Sequence, residues 1–302
     1  MLIRVKINGL VLIVCLLIFS ISGPVFALRF DSRPITPIPV NPTPTSIEAK
    51  KIALGKQLFN DTQLSKYKNL SCASCHVLKT GGTQSALANG VNIPSIFNTQ
   101  YNFKQFWNAS AGTLEQAIEK MLLDPKWMGF NPKTNLTNYK KLDTQKIVTA
   151  LAAYIRTLNT PHSRFDKYLA GDNSVLSPAE HQGYALFKTY GCISCHQGLL
   201  IGGNIMARFG IYHNGITKTT ILESDLGYYH VTKNPADKFV FKVPSLRNIA
   251  LRKLYFHDGS MNNLNMVIEK MAIDQIGRPI PQEDIKSIVE FLYTLTGQIP
   301  ET

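Results

Sequence analysis

Two motifs of the form C-x-x-C-H constrain this chain most strongly. They comprise Cys72, Cys75 and His76 in the first half and Cys192, Cys195 and His196 in the second. At this spacing the two thiols attach a haem covalently, and the histidine that follows ligates the haem iron. A redox dithiol or half of a zinc site also uses C-x-x-C, but here a histidine follows each pair at once. The pairs also lie much farther apart than the ligands of a structural zinc module. The motifs therefore predict two covalently bound haem c groups.

The N-terminal segment is typical of an exported protein. Residues 1–27 place two basic residues before an apolar core and a small-residue cleavage site, which is the pattern of a secretory signal peptide. The apolar run is too short to predict a membrane span. Cys15 lies in this run, so no cysteine is left for a structural disulfide. Because c-type haem is attached outside the bacterial cytoplasm, we expect a periplasmic protein.

The charge of the chain limits its partners only partly. The 302 residues include 32 Lys and Arg against 20 Asp and Glu, a formal net charge of +12. The basic residues form no clustered stretch, so we expect no nucleic-acid partner. A basic surface is suited to steer an acidic redox partner. General solubility and compensation of the haem propionates explain the same charge equally well.

An internal duplication organises the rest of the chain. Gly55 and Gly183 open the same pattern, Gly-x-x-Leu-Phe, ahead of the two motifs. Residues 106–121 correspond without a gap to residues 256–271, and both segments end in Ile-Glu-Lys-Met. Apolar residues at helical spacing then predict a closing helix for each half, at residues 146–158 and 284–295.

Helices with long loops dominate these patterns, and no segment predicts a convincing sheet. We therefore expect a mainly α fold. The predicted parts are a signal peptide at 1–27, a Pro-rich leader without a core of its own at 28–47, and two haem domains at 48–165 and 166–302.

The second half carries a specific resemblance to known proteins. It contains Gly-Cys-Ile-Ser-Cys-His at residues 191–196, Phe-Lys-Val-Pro-Ser-Leu-Arg-Asn-Ile-Ala at 241–250 and Tyr-Phe-His-Asp-Gly at 255–259. These segments strongly resemble the bacterial di-haem cytochrome c peroxidases, a group that also contains the MauG-type oxidases. The similarity runs from about residue 48 to the end of the chain and is looser in the first half.

The resemblance implies two cytochrome-c-like helical domains, each with one haem. It implies that the C-terminal haem takes electrons from a small periplasmic cytochrome c or a cupredoxin. These electrons pass to the N-terminal haem, where hydrogen peroxide is reduced to water. The family pattern also implies a homodimer.

The resemblance assigns ligands to the two irons. His76 and His196 are the implied proximal ligands, and Met271 is the implied distal ligand of the second iron. A thioether raises the reduction potential and fills the sixth position, as an electron relay requires. A methionine at helical spacing is otherwise a core residue, which is the alternative for Met271. Trp107 matches the family's tryptophan between the haems, and either electron transfer or plain packing against a porphyrin explains it.

A calcium site between the domains is a further implication of the resemblance. Asn92 matches the residue whose side chain holds the ion, and the family's carbonyl ligands fall on Arg252 and Leu254. Calcium prefers oxygen ligands, and backbone carbonyls persist when side chains change. The expected cofactors are thus two haem c groups and calcium.

The first haem departs from the family pattern. Residues 77–91 contain no histidine, whereas the family carries a displaceable distal histidine there. The family's Gln and Glu beside the peroxide site fall on Ala117 and Trp127, which cannot move a proton between the peroxide oxygens. Glu115 and Glu119, on the same predicted helix, are candidates for the missing acid.

Three functional hypotheses remain open. Met121 occupies in the first half the position of Met271 in the second. If Met121 ligated the first iron, that haem would be closed to peroxide and the protein would be a non-catalytic electron carrier; the alternative for Met121 is a core role. A MauG-like oxidase acting on a protein partner is disfavoured, because such proteins carry tyrosine at the position of Met271. The leading hypothesis is a cytochrome-c peroxidase-type oxidoreductase.

Overall fold

The computed structural model describes residues 35–84, 87–135, 142–213 and 221–300, and the backbone of two N-terminal strands. These strands, β1 (Ile3–Ile7) and β2 (Leu10–Val14), form an antiparallel pair inside a separate unit, Met1–Arg33. The rest of the predicted signal peptide, with its cleavage site, lies outside the described residues. Within the ranges just given, no helix is both long enough and apolar enough to cross a membrane.

The second unit, Pro34–Thr302, is mainly helical, as the sequence predicts. Its described helices are α1 (Ser46–Asn60), α2 (Cys72–Cys75), α3 (Leu114–Leu123), α4 (Pro132–Asn135), α5 (Thr144–Thr157), α6 (Arg164–Leu169), α7 (Pro178–Thr189), α8 (Tyr229–Thr232), α9 (Leu264–Met271) and α10 (Gln282–Tyr293). Short 3-10 turns lie at Thr62–Leu64, Leu78–Thr80, Thr99–Tyr101, Asn173–Val175, Cys192–Ser194, Glu223–Leu226, Pro235–Asp237 and Ile249–Leu251. The described strands of this unit are short and pair in two antiparallel ribbons, β3 (Leu87–Ala88) with β4 (Val91–Asn92) and β5 (Met206–Arg208) with β6 (Val240–Lys242).

Local sequence explains where the first helix of each half begins. At α7, the Ser177 hydroxyl accepts the N–H of Glu180 at 3.3 Å, and the Glu180 carboxylate accepts the N–H of Ser177 at 2.7 Å. Thr45 and Glu48 form the same reciprocal pair at α1. Such capping boxes satisfy N–H groups that have no partner inside the helix. The predicted closing helices are observed as α5 and α10, each within two residues of its predicted bounds.

Two glycine-dependent helix crossings form the frame of the two halves. Helix α1 packs on α5, and α7 packs on α10. A Cβ on Gly55 would overlap the carbonyl oxygen of Ala150, and a Cβ on Gly183 would overlap that of Ser287. Only glycine permits so close an approach of two backbones. The two glycines of the sequence repeat therefore mark equivalent crossings.

Thr160 joins the two halves of the repeat. Asn98 and Asn248 are equivalent positions, and both have a left-handed backbone with φ of 58° and 60°. Their side-chain amides donate to the Thr160 hydroxyl at 2.7 and 2.8 Å. All three residues are buried. Because a buried polar group that loses its partner costs free energy, these contacts fix the halves against each other.

Two apolar clusters form the core of the described chain. The N-terminal cluster surrounds Phe59 and Leu151, and the C-terminal cluster surrounds Phe165 and Phe291. The chain passes from one cluster to the other between Leu158 and Phe165. This passage lies near the predicted domain boundary after residue 165, and the boundary itself stays a prediction.

The Pro-rich leader packs against both halves. Ile35 is fully buried in the C-terminal cluster. The backbone N–H of Ile38 donates to Asp166 at 3.3 Å, and the side chain of Asn41 accepts from the amide of Asn159 at 2.7 Å. The sequence shows that the leader lacks a core of its own, but isolated isoleucines among prolines do not reveal that it joins the core of the domains.

We predict that Gly183→Ala lowers the free energy of unfolding by about 1–3 kcal/mol, because the added methyl group pushes α7 away from α10. In an exposed helix the same substitution is stabilising by about 1 kcal/mol, so the sign of the effect tests the crossing. Denaturant unfolding followed by far-UV circular dichroism measures it. Gly112→Ala is the control, since a Cβ there meets only the flexible side chain of Gln116. A neutral or stabilising effect of Gly183→Ala would contradict the close approach.

Candidate metal centres

Each C-x-x-C-H motif lies on a short helical turn. The first forms α2, with His76 as its C-cap, and the second begins with the 3-10 turn Cys192–Ser194. The four motif cysteines are half-buried free thiols. Burial raises the pKa of Cys72 to about 12 and that of Cys192 to about 11, so both are protonated at neutral pH. These unpaired thiols are free to form bonds to another group.

A backbone carbonyl orients each motif histidine in the same way. Nδ1 of His76 lies 3.1 Å from the carbonyl oxygen of Gly82, and Nδ1 of His196 lies 3.2 Å from that of Ile201. A carbonyl only accepts hydrogen bonds, so Nδ1 carries the proton and Nε2 keeps its lone pair. Burial lowers the pKa of both imidazoles to about 4, which keeps them neutral. Neutral imidazole with an oriented ring is the form in which histidine ligates a metal.

The Pro-Ser segments of the repeat hold the loops that carry these carbonyls. The hydroxyl of Ser95 donates to the carbonyl of Gly81 at 2.6 Å, and that of Ser245 donates to the carbonyl of Leu200 at 2.9 Å. Each of these carbonyls directly precedes the residue that orients the histidine. Pro-Ser follows both motifs, at residues 94–95 and 244–245, but the sequence alone assigns it no role. Its repetition after both motifs was the signal for this function.

Met121 and Met271 occupy equivalent positions on α3 and α9. Both side chains are half-buried, and neither belongs to the two apolar clusters that the described residues form. A methionine that only filled the core would be part of such a cluster. The two helices differ afterwards, because a π-helical turn, Ala272–Ile276, follows Met271, whereas α3 ends at Leu123. Single π-turns inside helices are frequent at functional sites.

Trp107 is fixed where the two halves of the repeat meet. Its indole Nε1 donates to the carbonyl of Asn92 at 2.8 Å, and its own carbonyl accepts the N–H of Lys242 at 2.9 Å. Asn92 belongs to β4 in the first half and Lys242 to β6 in the second. Trp107 therefore links β4 to β6 through hydrogen bonds, and both its place between two haems and its role in electron transfer stay predictions.

The two candidate acids on α3 have different surroundings. Glu115 is half-buried, and its Oε1 lies 2.6 Å from Nη2 of Arg156 on α5. Glu119 is exposed, and it lies on the side of α3 opposite to Met121 because the two are only two residues apart. Ala117, four residues before Met121, is buried on the same side as that methionine. The structure therefore does not place Glu119 beside Met121, and it engages Glu115 in an ion pair.

Comparisons with known proteins show to which family the chain belongs. Residues 49–174 match the family model described as di-haem cytochrome c peroxidase. Cytochrome c551 peroxidase of Nitrosomonas europaea is 35% identical over 294 residues, which cover 89% of this chain and 86% of that protein. The chain belongs to the di-haem cytochrome c peroxidase family.

One further relative and one solved structure are similar to this chain over most of its length. Cytochrome c peroxidase Ccp of Escherichia coli is 35% identical over 290 residues, which cover 88% of this chain and 62% of that protein. A solved structure, a MauG-like protein associated with microbial copper homeostasis, is 26% identical with a TM-score of 0.70. The match covers 90% of this chain and 96% of that one. Di-haem cytochrome c peroxidases are haem-dependent oxidoreductases, so membership of this family confirms the prediction that the protein uses haem.

The residues of the two motifs fit the haem that this peroxidase family carries. Each motif supplies two free thiols for attachment and one neutral imidazole with Nε2 available. A half-buried methionine outside the apolar clusters accompanies each motif. Covalent attachment and ligation by Met121 or Met271 stay predictions.

The residues at the predicted calcium site do not fit calcium. Oδ1 of the buried Asn92 accepts from Nη2 of Arg252 at 3.0 Å, and the carbonyl of Leu254 accepts from Nε of Arg252 at 3.3 Å. The carbonyl of Arg252 accepts from the hydroxyl of Tyr255 at 3.1 Å. Calcium takes about six to eight oxygen ligands. The three oxygens predicted to supply part of this set instead accept from protein donors. Two of them face the guanidinium of Arg252, and the third faces the hydroxyl of Tyr255.

We predict that Met271→His lowers the reduction potential of the C-terminal haem, because imidazole favours ferric iron more than a thioether does. Spectroelectrochemical titration of the haem-loaded protein measures this potential. Met266→His is the control, since Met266 lies on the same helix but is exposed. If Met271→His gives the wild-type titration curve, Met271 is a packing residue and the assigned ligand is incorrect.

Proposed function

We propose that this protein is a periplasmic di-haem c-type peroxidase that reduces hydrogen peroxide to water with electrons from a small cytochrome c or a cupredoxin. The observation that supports this most directly is the duplicated, pre-oriented imidazole of His76 and His196. Family membership supports peroxide as the substrate and a cytochrome as the donor. Export, the cupredoxin and a homodimer come from the sequence pattern and the resemblance.

The residues proposed to hold the two haems are Cys72, Cys75 and His76, and Cys192, Cys195 and His196. Bound haem would supply an iron that changes its oxidation state. The protein supplies the rest. The carbonyls of Gly82 and Ile201 accept a hydrogen bond from Nδ1 of each imidazole, which fixes the ring and raises the basicity of Nε2 as a ligand.

The second half is proposed to receive electrons. Met271 would close the remaining coordination position there, so that this half relays electrons and does not bind peroxide. Trp107 contacts the first half through Asn92 and the second through Lys242. The first bond holds the indole and the second holds the Trp107 backbone, and a ring fixed in this way is suited to electron transfer.

The first half is proposed to bind peroxide. Reduction of one hydrogen peroxide to two waters consumes two electrons and two protons, so an acid must reach the bound oxygen atoms. Glu115 is the better candidate of the two glutamates, because it is half-buried while Glu119 is exposed. Its ion pair with Arg156 holds the carboxylate in one place, where it would accept a proton from one peroxide oxygen and return it to the other; the two protons consumed come from solvent.

A non-catalytic electron carrier is the second candidate function. Met121 shares both the repeat position and the half-buried setting of Met271. If its sulfur closed the first haem as Met271 would close the second, no position would remain for peroxide. The MauG-like alternative is weaker, because Met271 stands where those oxidases carry tyrosine.

We predict that the denatured mature protein retains two haems and that the double variant Cys72→Ala, Cys75→Ala retains one, because each thiol pair attaches one group. Acid-acetone extraction followed by pyridine haemochrome absorbance measures the number retained. The double variant Cys192→Ala, Cys195→Ala is the matched control and should also retain one. Extraction of both haems from the wild type would exclude covalent attachment and with it the proposed function.

A second prediction separates the peroxidase from the carrier. In the half-reduced protein of a peroxidase, the first haem binds cyanide rapidly, and Met121→Ala leaves that binding unchanged. In a carrier, cyanide binds only after Met121 is removed. Optical titration with cyanide distinguishes the two, and turnover of peroxide with a reduced donor is the parallel assay. Met128→Ala is the control, since that methionine packs against the N-terminal apolar cluster.

A further inference from the structure

The seam between the two halves contains a side-chain cation where the sequence predicts a metal ion. Nη2 of Arg252 donates to Oδ1 of Asn92 at 3.0 Å and to the carbonyl of Ile93 at 3.1 Å. Nε of the same guanidinium donates to the carbonyl of Leu254 at 3.3 Å. Asn92 and Ile93 belong to the first half and Leu254 to the second. One positive charge therefore draws together oxygens from both halves.

The orientation of the Asn92 amide supports this arrangement. Its Nδ2 donates to the carbonyls of Leu254 at 3.1 Å and Phe256 at 2.7 Å, so its Oδ1 must be the atom that faces the guanidinium. Asn92 also donates its backbone N–H to the carbonyl of His257 at 2.9 Å. The site is thus a closed network in which each named oxygen already has a donor.

The electrostatic setting disfavours an additional cation. Lys242 is buried nearby, with its Nζ 3.3 Å from Oδ1 of Asn102. Burial and the positive charge of Arg252 lower the pKa of Lys242 to about 8. Burial lowers the pKa of Arg252 to about 10, which leaves it charged at neutral pH. Within the described part of the chain, no carboxylate forms an ion pair with Arg252, and calcium sites normally include carboxylates.

We propose that the guanidinium of Arg252 is the built-in cation of the seam and replaces calcium in this protein. The two halves are then held together by a covalently tethered charge. Their association does not depend on calcium concentration, and a chelator does not loosen it. The proposal is independent of whether the first haem reduces peroxide.

The test compares the haem-loaded wild type with Arg252→Ala and with the control Lys253→Ala. Lys253 is the next residue and is exposed, and its replacement by alanine changes the net charge by the same amount. Thermal unfolding is recorded in EGTA and in millimolar calcium chloride, and bound calcium is measured by mass spectrometry after dialysis. We expect the same Tm for the wild type in both solutions, and the same for Lys253→Ala. Arg252→Ala should lose on the order of 5 °C in EGTA and regain part of it in calcium, because its exposed oxygens can then take the ion.

Two results would overturn the proposal. One is a wild-type protein that retains one calcium per chain after dialysis and loses thermal stability in EGTA. The other is an Arg252→Ala protein with the wild-type Tm in both solutions, which would show that the guanidinium does not hold the seam. If Arg252→Ala fails to fold, the calcium content and the EGTA response of the wild type still decide.

Discussion

The hydrogen bond between each motif histidine and a loop carbonyl is the contact on which the proposed chemistry depends. Gly82 and Ile201 accept from Nδ1, which fixes the tautomer and leaves Nε2 for iron. The loops are themselves held by the hydroxyls of Ser95 and Ser245. Because backbone atoms and one small side chain set this orientation, the surrounding pocket can change residues without turning the imidazole. This explains how the first half keeps its histidine geometry while its pocket departs from the family pattern.

The contacts that hold each half are repeated in the other half, whereas the residues around the predicted haem sites differ. The helix crossings at Gly55 and Gly183 and the asparagine contacts to Thr160 are equivalent in the two halves. The differences lie elsewhere: a π-helical turn follows Met271, whereas α3 ends shortly after Met121. Equivalent frames therefore support different surroundings for the two methionines. An electron relay and a peroxide site need this difference, because one must be closed and the other open.

Much of the fold could be predicted from the sequence because it is encoded locally. The capping boxes, the closing helices and the repeated Gly-x-x-Leu-Phe each depend on residues close together in the chain. The docking of Ile35 in the C-terminal cluster could not be predicted, since it depends on a cavity formed by distant residues. Likewise, the sequence placed Glu119 on the right helix but could not show that it is exposed. The guanidinium of Arg252 could not be placed from the sequence either, because its contact with Asn92 joins residues 160 positions apart in the chain.

A tethered cation changes how the two halves are coupled. The stabilisation that a bound metal ion gives to an interface rises with the logarithm of the free ion concentration above the dissociation constant and vanishes below it, so such an interface is weakened when the ion is scarce. The Arg252 side chain is ordered once, during folding, and its charge cannot diffuse away. Its desolvation is offset by hydrogen bonds to three oxygens from both halves. The indole N–H of Trp107 donates to the backbone carbonyl of Asn92, and the side chain of the same asparagine accepts from Arg252. On the proposal that Arg252 replaces calcium, the position of Trp107 is set by the folded chain alone, and electron flow between the halves would need no metal ion at the seam.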